Sequence, residues 1–180
     1  MNTKTKEITL IGLMTAVTCI AGPLSLALPF SPVPISLTNL AIYFSVYILG
    51  MRRGTISYLV YLLLGLVGLP VFSAFTSGPM KLFGPTGGYL IGFIFMALIS
   101  GYCIDRWNGQ IIISFIGMVL GTVVTYGFGT VWLAYQSNWS FGKALAFGVL
   151  PFIVVDLAKM VLTLLIGSQV RVRVRKAVLN

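Results

Sequence analysis

Apolar residues in this chain run in long blocks instead of alternating with polar ones. Short polar, glycine or proline breaks divide them into six segments, about Ile8 to Leu28, Ile35 to Gly50, Gly54 to Phe72, Gly87 to Ile104, Ile111 to Ala134 and Leu145 to Gly167. A helix that crosses a bilayer needs about 17 to 25 residues, and each block comes near that length, the second being the shortest. The pattern predicts an all-α membrane protein, a compact bundle of six transmembrane helices forming a single domain over residues 1–180. The first block, preceded by Lys4 and Lys6, has the flank of a signal peptide. It is long for an apolar signal core and further spans follow, so it reads as the first membrane helix. Before the second block, Pro29, Pro32 and Pro34 oppose helix and predict an extended turn at the surface.

Basic residues set the expected orientation. Lys4 and Lys6 precede the first block, Arg52 and Arg53 separate the second from the third, Arg106 separates the fourth from the fifth, and Arg171, Arg173, Arg175 and Lys176 follow the sixth. With six spans all of these fall on one side, while the opposite loops hold Lys81 and Lys143. Positive residues favour the inside, so both termini are expected in the cytoplasm and the loops 29–34, 73–86 and 135–144 outside. The Arg-Val-Arg-Val-Arg-Lys tail then meets anionic lipid headgroups.

Composition strengthens the membrane reading and removes most chemistry. The 180 residues are 58% hydrophobic, with 12 Lys and Arg against 3 Asp and Glu and no histidine, and the mean hydropathy is +1.01. A net charge of +9 in a soluble chain would suggest nucleic acid; here the topology accounts for it, and no nucleic-acid partner is expected. Without histidine or a carboxylate cluster there is no metal site, and Ser-His-Asp or Cys-His catalysis is impossible. Asp105 beside Arg106 reads as a surface residue. No Gly-x-x-x-x-Gly-Lys-Ser/Thr occurs, so any energy from ATP must come from a partner. Cys19 and Cys103 fall in apolar runs and behave as small hydrophobes.

Two charges stand inside the last block, Asp156 and Lys159. Three residues apart on a helix, they share one side. Each costs about 2.5 to 3.5 kcal/mol at the middle of a membrane helix on insertion scales. They form either a self-satisfied buried pair or the lining of a polar cavity roughly 12 to 17 Å below the outer end of the helix. Two further walls suggest themselves. Gly84-Pro85-Thr86-Gly87-Gly88 opens the fourth block, where Thr86 serves as a helix cap or free N–H groups receive an anion; Lys81, Phe83 and Tyr89 nearby could form a lid. Ser36, Thr38 and Asn39 either cap the second helix or face the cavity. Small residues four apart, such as Gly12/Ala16, Gly88/Gly92 and Gly117/Gly121, let helices approach closely. On the first helix, Gly12 and Ala16 could equally dock another subunit.

The segments Leu82-Phe83-Gly84-Pro85-Thr86-Gly87-Gly88-Tyr89-Leu90-Ile91-Gly92-Phe93, Gly65-Leu66-Val67-Gly68-Leu69-Pro70-Val71-Phe72, Pro32-Val33-Pro34-Ile35 and Asp156-Leu157-Ala158-Lys159 resemble, in this order and over nearly the whole chain, the BioY family. These are the biotin-specific S components of energy-coupling factor (ECF) transporters. The resemblance implies a six-helix protein of a prokaryotic cell membrane that captures extracellular biotin. Its implied partners are a transmembrane coupling subunit and two ATPase subunits, and it implies neither catalysis nor a cofactor. Family members meet the coupling subunit through small residues of the first helix, commonly alanines, where this chain offers Gly12 and Ala16. After the Pro-Val-Pro-Ile turn the family often carries Thr-Leu-Gln-Thr; this chain has Ser36-Leu37-Thr38-Asn39.

The chemistry of biotin can be set against these residues independently. Its ureido N–H groups can donate to Asp156 and its ureido carbonyl can accept from Lys159, leaving the carboxylate near Lys81. A reversed pose puts the carboxylate on Lys159. Other readings are an S component for thiamine or riboflavin, an intramembrane enzyme using Asp156 as a base, and a membrane protein without ligand.

Overall fold

The computed structural model describes residues 3–174 and 176. Its main elements are α1 (Thr3–Ala21), an antiparallel hairpin of β1 (Ser25–Leu28) and β2 (Ser31–Ser36), α2 (Thr38–Leu49), α3 (Met51–Val67), the short α4 (Pro79–Phe83), α5 (Gly87–Arg106), α6 (Ile111–Ser137), the short α7 (Phe141–Gly148) and α8 (Leu150–Val174). Three of these helices, α5, α6 and α8, are long and apolar enough to cross a membrane. The protein is a membrane protein of mostly helical structure.

The organising element is α2. Ten of its twelve residues are buried, among them Ile42, Tyr43, Val46 and Tyr47. A helix apolar all round must be enclosed on every side, and α2 contacts α1, α3, α5 and α8. Tyr58, Tyr61, Phe72, Met96 and Met118 complete the core around it. At 1.5 Å per residue α2 is only about 18 Å long, well short of the ~30 Å hydrocarbon layer. The hairpin occupies the chain immediately before it.

Four boundaries depart from the sequence expectation, each for a local reason. α1 ends at Ala21 instead of Leu28 because Gly22-Pro23 follows, and proline disfavours helix at the residue before it. The proline-rich stretch is a strand, pairing Ser25 with Ser36 and Leu26 with Ile35. With φ fixed near the extended region, Pro32 and Pro34 suit a two-stranded ribbon that leaves one edge of β2 without a partner. α3 stops at Val67, where Gly68 takes φ 117° and its N–H bonds back to Gly65; only glycine adopts that conformation without strain. The last block divides into α7 and α8 at Val149, whose φ of −129° is not helical, and α8 continues to Val174. Ser140 caps α7, its side chain accepting from the Lys143 N–H.

The small-residue spacings divide into two groups. On α5 and α6, a Cβ added to Gly88 would meet Trp132, to Gly92 the Thr125 Cα at 2.9 Å, to Gly117 the Cys103 Cβ at 2.5 Å, and to Gly121 the Met96 Cα at 3.0 Å. These glycines hold the two helices together. Around Gly12 a Cβ would meet nothing within 4 Å.

The basic segments gather at one end of the bundle. Arg53 pairs with Glu7 at 2.6 Å, and Arg171 with Asp105 at 3.4 Å. Asp105 also accepts from the Met51 N–H at 2.7 Å, which ties the α2–α3 turn to the end of α5.

Candidate functional site

At the opposite end from those ion pairs, a cavity of about 70 Å³ is walled by β2, the start of α2, α4, the start of α5, α6 and α8. Each wall brings a side chain for a local reason. Asn39 stands in the first turn of α2, directly after the hairpin. Thr86 and Tyr89 open α5 after the Gly84-Pro85 break. Asp156 and Lys159 lie one helical turn apart on α8. Lys81, Ser36, Thr38, Phe93, Met96, Tyr126 and Phe152 complete the greater part of the lining.

The polar centre is a closed network. Lys159 Nζ donates to Asp156 Oδ1 at 3.0 Å, to Asn39 Oδ1 at 2.8 Å and to the Ser36 carbonyl at 2.7 Å. Asn39 Nδ2 donates to the same Asp156 Oδ1 at 2.8 Å, and the Tyr126 hydroxyl donates to Asp156 Oδ2 at 2.8 Å. Both charged side chains are buried, with 9% and 8% of their surface exposed. Lys159 therefore has all three of its protons committed. Asp156 Oδ1 has both lone pairs occupied, and Oδ2 keeps one acceptor position. This is how the two charges are tolerated: they neutralise each other, and three further groups satisfy what the pair leaves over.

The wall around this centre is aromatic and small-polar. Tyr89 is 7% exposed, and its hydroxyl donates to the Gly148 carbonyl at 2.8 Å, joining α5 to the end of α7. Tyr43 and Thr122 share a hydrogen bond beneath the cavity floor at 2.5 Å. Ser36 and Thr38 bond each other at 2.7 Å, and the Thr38 N–H donates to Ser36 Oγ; the cap position of α2 itself is Leu37, which makes no side-chain cap bond, and both polar residues line the wall. Lys81 on α4 is half-buried, and that burial pushes its ammonium below the ordinary lysine range.

Eight of the residues singled out in the sequence meet at this cavity: Asp156, Lys159, Asn39, Ser36, Thr38, Tyr89, Thr86 and Lys81. Phe83 does not. Its side chain is 62% exposed, and its carbonyl accepts from Gln136, because the single turn of α4 that presents Lys81 inward carries Phe83 to the outside. Gly12 and Ala16 lie on an exposed face of α1 with Leu13, Val17 and Ile20. The sequence reading missed Tyr126. Its available signal was the spacing Thr122, Thr125, Tyr126, a polar stripe at helical period on an otherwise apolar helix.

This arrangement can bind and orient a small ligand that carries both donors and an acceptor. Among the described residues no group of three or more Cys, Asp or Glu could hold a metal ion.

The family profile described as "BioY family" matches residues 1–176. The chain is 36% identical over 166 residues to "Biotin transporter BioY2" of Lactococcus lactis subsp. cremoris, covering 92% of this chain and 90% of that protein. It is 37% identical over 177 residues to "Biotin transporter BioY" of Rhizobium etli, covering 93% and 94%. The crystal structure of "the S-component for biotin from an ECF-type ABC transporter" superimposes with a TM-score of 0.87 at 33% identity, over 93% of this chain and 92% of that one. On these matches the chain belongs to the BioY family.

Proposed function

We propose that this protein captures biotin from outside the cell as the S component of an ECF-type uptake transporter. The observation that carries the reading is the network of Asp156, Lys159, Asn39 and Tyr126 at the base of an aromatic-walled cavity. The names of the relatives and of the solved S component point to the same ligand. A ureido N–H takes the open acceptor position on Asp156 Oδ2. The ureido carbonyl takes a Lys159 proton in exchange for the Ser36 carbonyl, the apolar rings lie against Tyr89, Phe93 and Phe152, and the ligand carboxylate points to Lys81. The reversed pose would bring a carboxylate to Lys159 beside Asp156, placing two like charges within a few ångströms, and is disfavoured for that reason.

In the cell membrane of a prokaryote the chain forms six spans with both termini in the cytoplasm. The clustering of Arg53, Arg171, Glu7 and Asp105 at one end of the bundle supports this orientation. A transmembrane coupling subunit docks at the Gly12/Ala16 face of α1, and two ATPase subunits supply the energy for release inward. Isothermal titration of the purified protein tests the ligand. Biotin is expected to bind more tightly than micromolar, with thiamine and riboflavin silent; a chain that binds either of those and not biotin overturns the assignment.

A further inference from the structure

A second cavity lies behind the polar one. Between α6, α7 and α8 runs a crevice of about 500 Å³, lined by apolar side chains that include Val123, Leu145, Ile153 and Leu157. Tyr126 and Asp156 line both cavities, so their hydrogen bond is the partition between them. Gly127 lies on its α6 wall beside open space, where an added Cβ would meet nothing within 4 Å. Val123, Ile153 and Leu157 are 58%, 38% and 38% exposed on its rim.

Both long walls, α6 and α8, are among the helices apolar enough to cross a membrane, so the medium against the crevice is hydrocarbon. One end is closed by α7, an amphipathic helix that contributes Phe141 and Leu145 to the lining. Lys143, on the same helix, holds its Nζ 4.4 Å from the Trp139 ring centroid. Trp139, in the turn just before this helix, and Lys143 on it are residues of the kinds that settle at headgroup depth. The crevice therefore runs from the headgroup level into the bilayer beside the buried charges. Its volume and apolar lining suit an alkyl chain, and its back wall is the polar partition that water must not reach from the lipid side.

We infer that the α6–α8 crevice is a binding site for one acyl chain of a membrane phospholipid, whose headgroup lies at α7. The resident chain packs against the lipid-facing side of Tyr126 and seals the Tyr126–Asp156 hydrogen bond from that side. The inference rests on the membrane reading and is independent of which vitamin the polar cavity takes.

The test is photolabelling of the full chain, without vitamin, in vesicles of phosphatidylcholine carrying a mid-chain diazirine, with adducts mapped by mass spectrometry. Val123, Gly127 and Ile153 are expected to label severalfold more than Leu120, Val131 and Val154, which are exposed on the same two helices outside the crevice. Gly127→Leu, which fills the crevice from within, is expected to reduce crevice labelling severalfold and leave the other three positions unchanged. Equal labelling of the two groups overturns the proposal. So does protection of the crevice residues, which would mean that a second protein copy or nothing occupies it, and so does crevice labelling that persists in Gly127→Leu.

Discussion

Asn39 and Asp156 lie 117 positions apart in the chain and are joined at 2.8 Å, the amide of α2 donating to the carboxylate of α8. The same Asn39 offers its carbonyl to Lys159, so one neutral side chain bridges both members of the ion pair. Its removal leaves a charged donor and a charged acceptor each short of a partner. Asn39→Ala is expected to lower stability by about 1 to 3 kcal/mol, read as a fall in detergent-solubilised melting temperature. A melting temperature equal to wild type would show that Asn39 is not part of the network that holds the pair.

Breaking the pair from either side should cost more than breaking it from both. Asp156→Asn and Lys159→Ala each strand a buried charge or donor, at about 3 to 5 kcal/mol each. The double substitution should cost clearly less than the sum of the two. Titration calorimetry and thermal unfolding around this double-mutant cycle measure the coupling, and additive losses would count against a closed network.

Tyr126→Phe removes a single hydroxyl while keeping the ring that separates the two cavities. A hydrogen bond to a charged group contributes about 1.5 to 3 kcal/mol, so biotin affinity should drop by about tenfold or more. Unchanged affinity would mean that Asp156 is oriented adequately by Asn39 and Lys159 alone.

Lys81 gives a pH signature with two opposite signs. Burial lowers its folded-state pKa below the ordinary lysine value. Between that lowered value and the ordinary lysine value of about 10.4, the unfolded chain binds more protons than the folded one, so stability rises with pH. Affinity for a carboxylate ligand should fall over the same window, as the ammonium discharges. Lys81→Met should flatten both trends. An alkaline loss of affinity that survives in Lys81→Met would assign the effect to another group.

Gly12 is surrounded by open space on α1. Gly12→Leu is therefore expected to leave folding and biotin binding unchanged while preventing assembly with the coupling subunit. Co-purification with that subunit is the measurement, and full assembly of the variant would place the docking face elsewhere.

What the sequence made legible follows from how unusual each residue was in its setting. Asp156 and Lys159 stood out because charge in an apolar run has no cheap explanation, and Asn39 because it sits beside a helix start after a proline turn. Tyr126 stayed hidden because a tyrosine on an apolar helix looks like packing until its hydroxyl is seen to have a partner. Phe83 was misplaced because α4 could not be read from a stretch of loop residues, and the direction of a single helical turn decides which neighbour faces inward. The blocks of hydropathy fell on the longer helices and missed α4 and the start of α7. They did not show that α1 stops at Gly22-Pro23 or that residues 25–36 form a hairpin, since both lie within runs that remain apolar.

The early place of α2 in the chain has a consequence for how the molecule comes into being. Asn39 in its first turn is buried inside the protein and depends on partners from distant parts of the chain. Among those partners, Asp156 and Lys159 both lie in the last third of the chain, on α8. During synthesis the early segments are made long before those partners exist. The hydrogen bonds that Asn39 and Ser36 make with α8 can therefore form only after α8 has been made, and the pocket has its full polar centre only from that point.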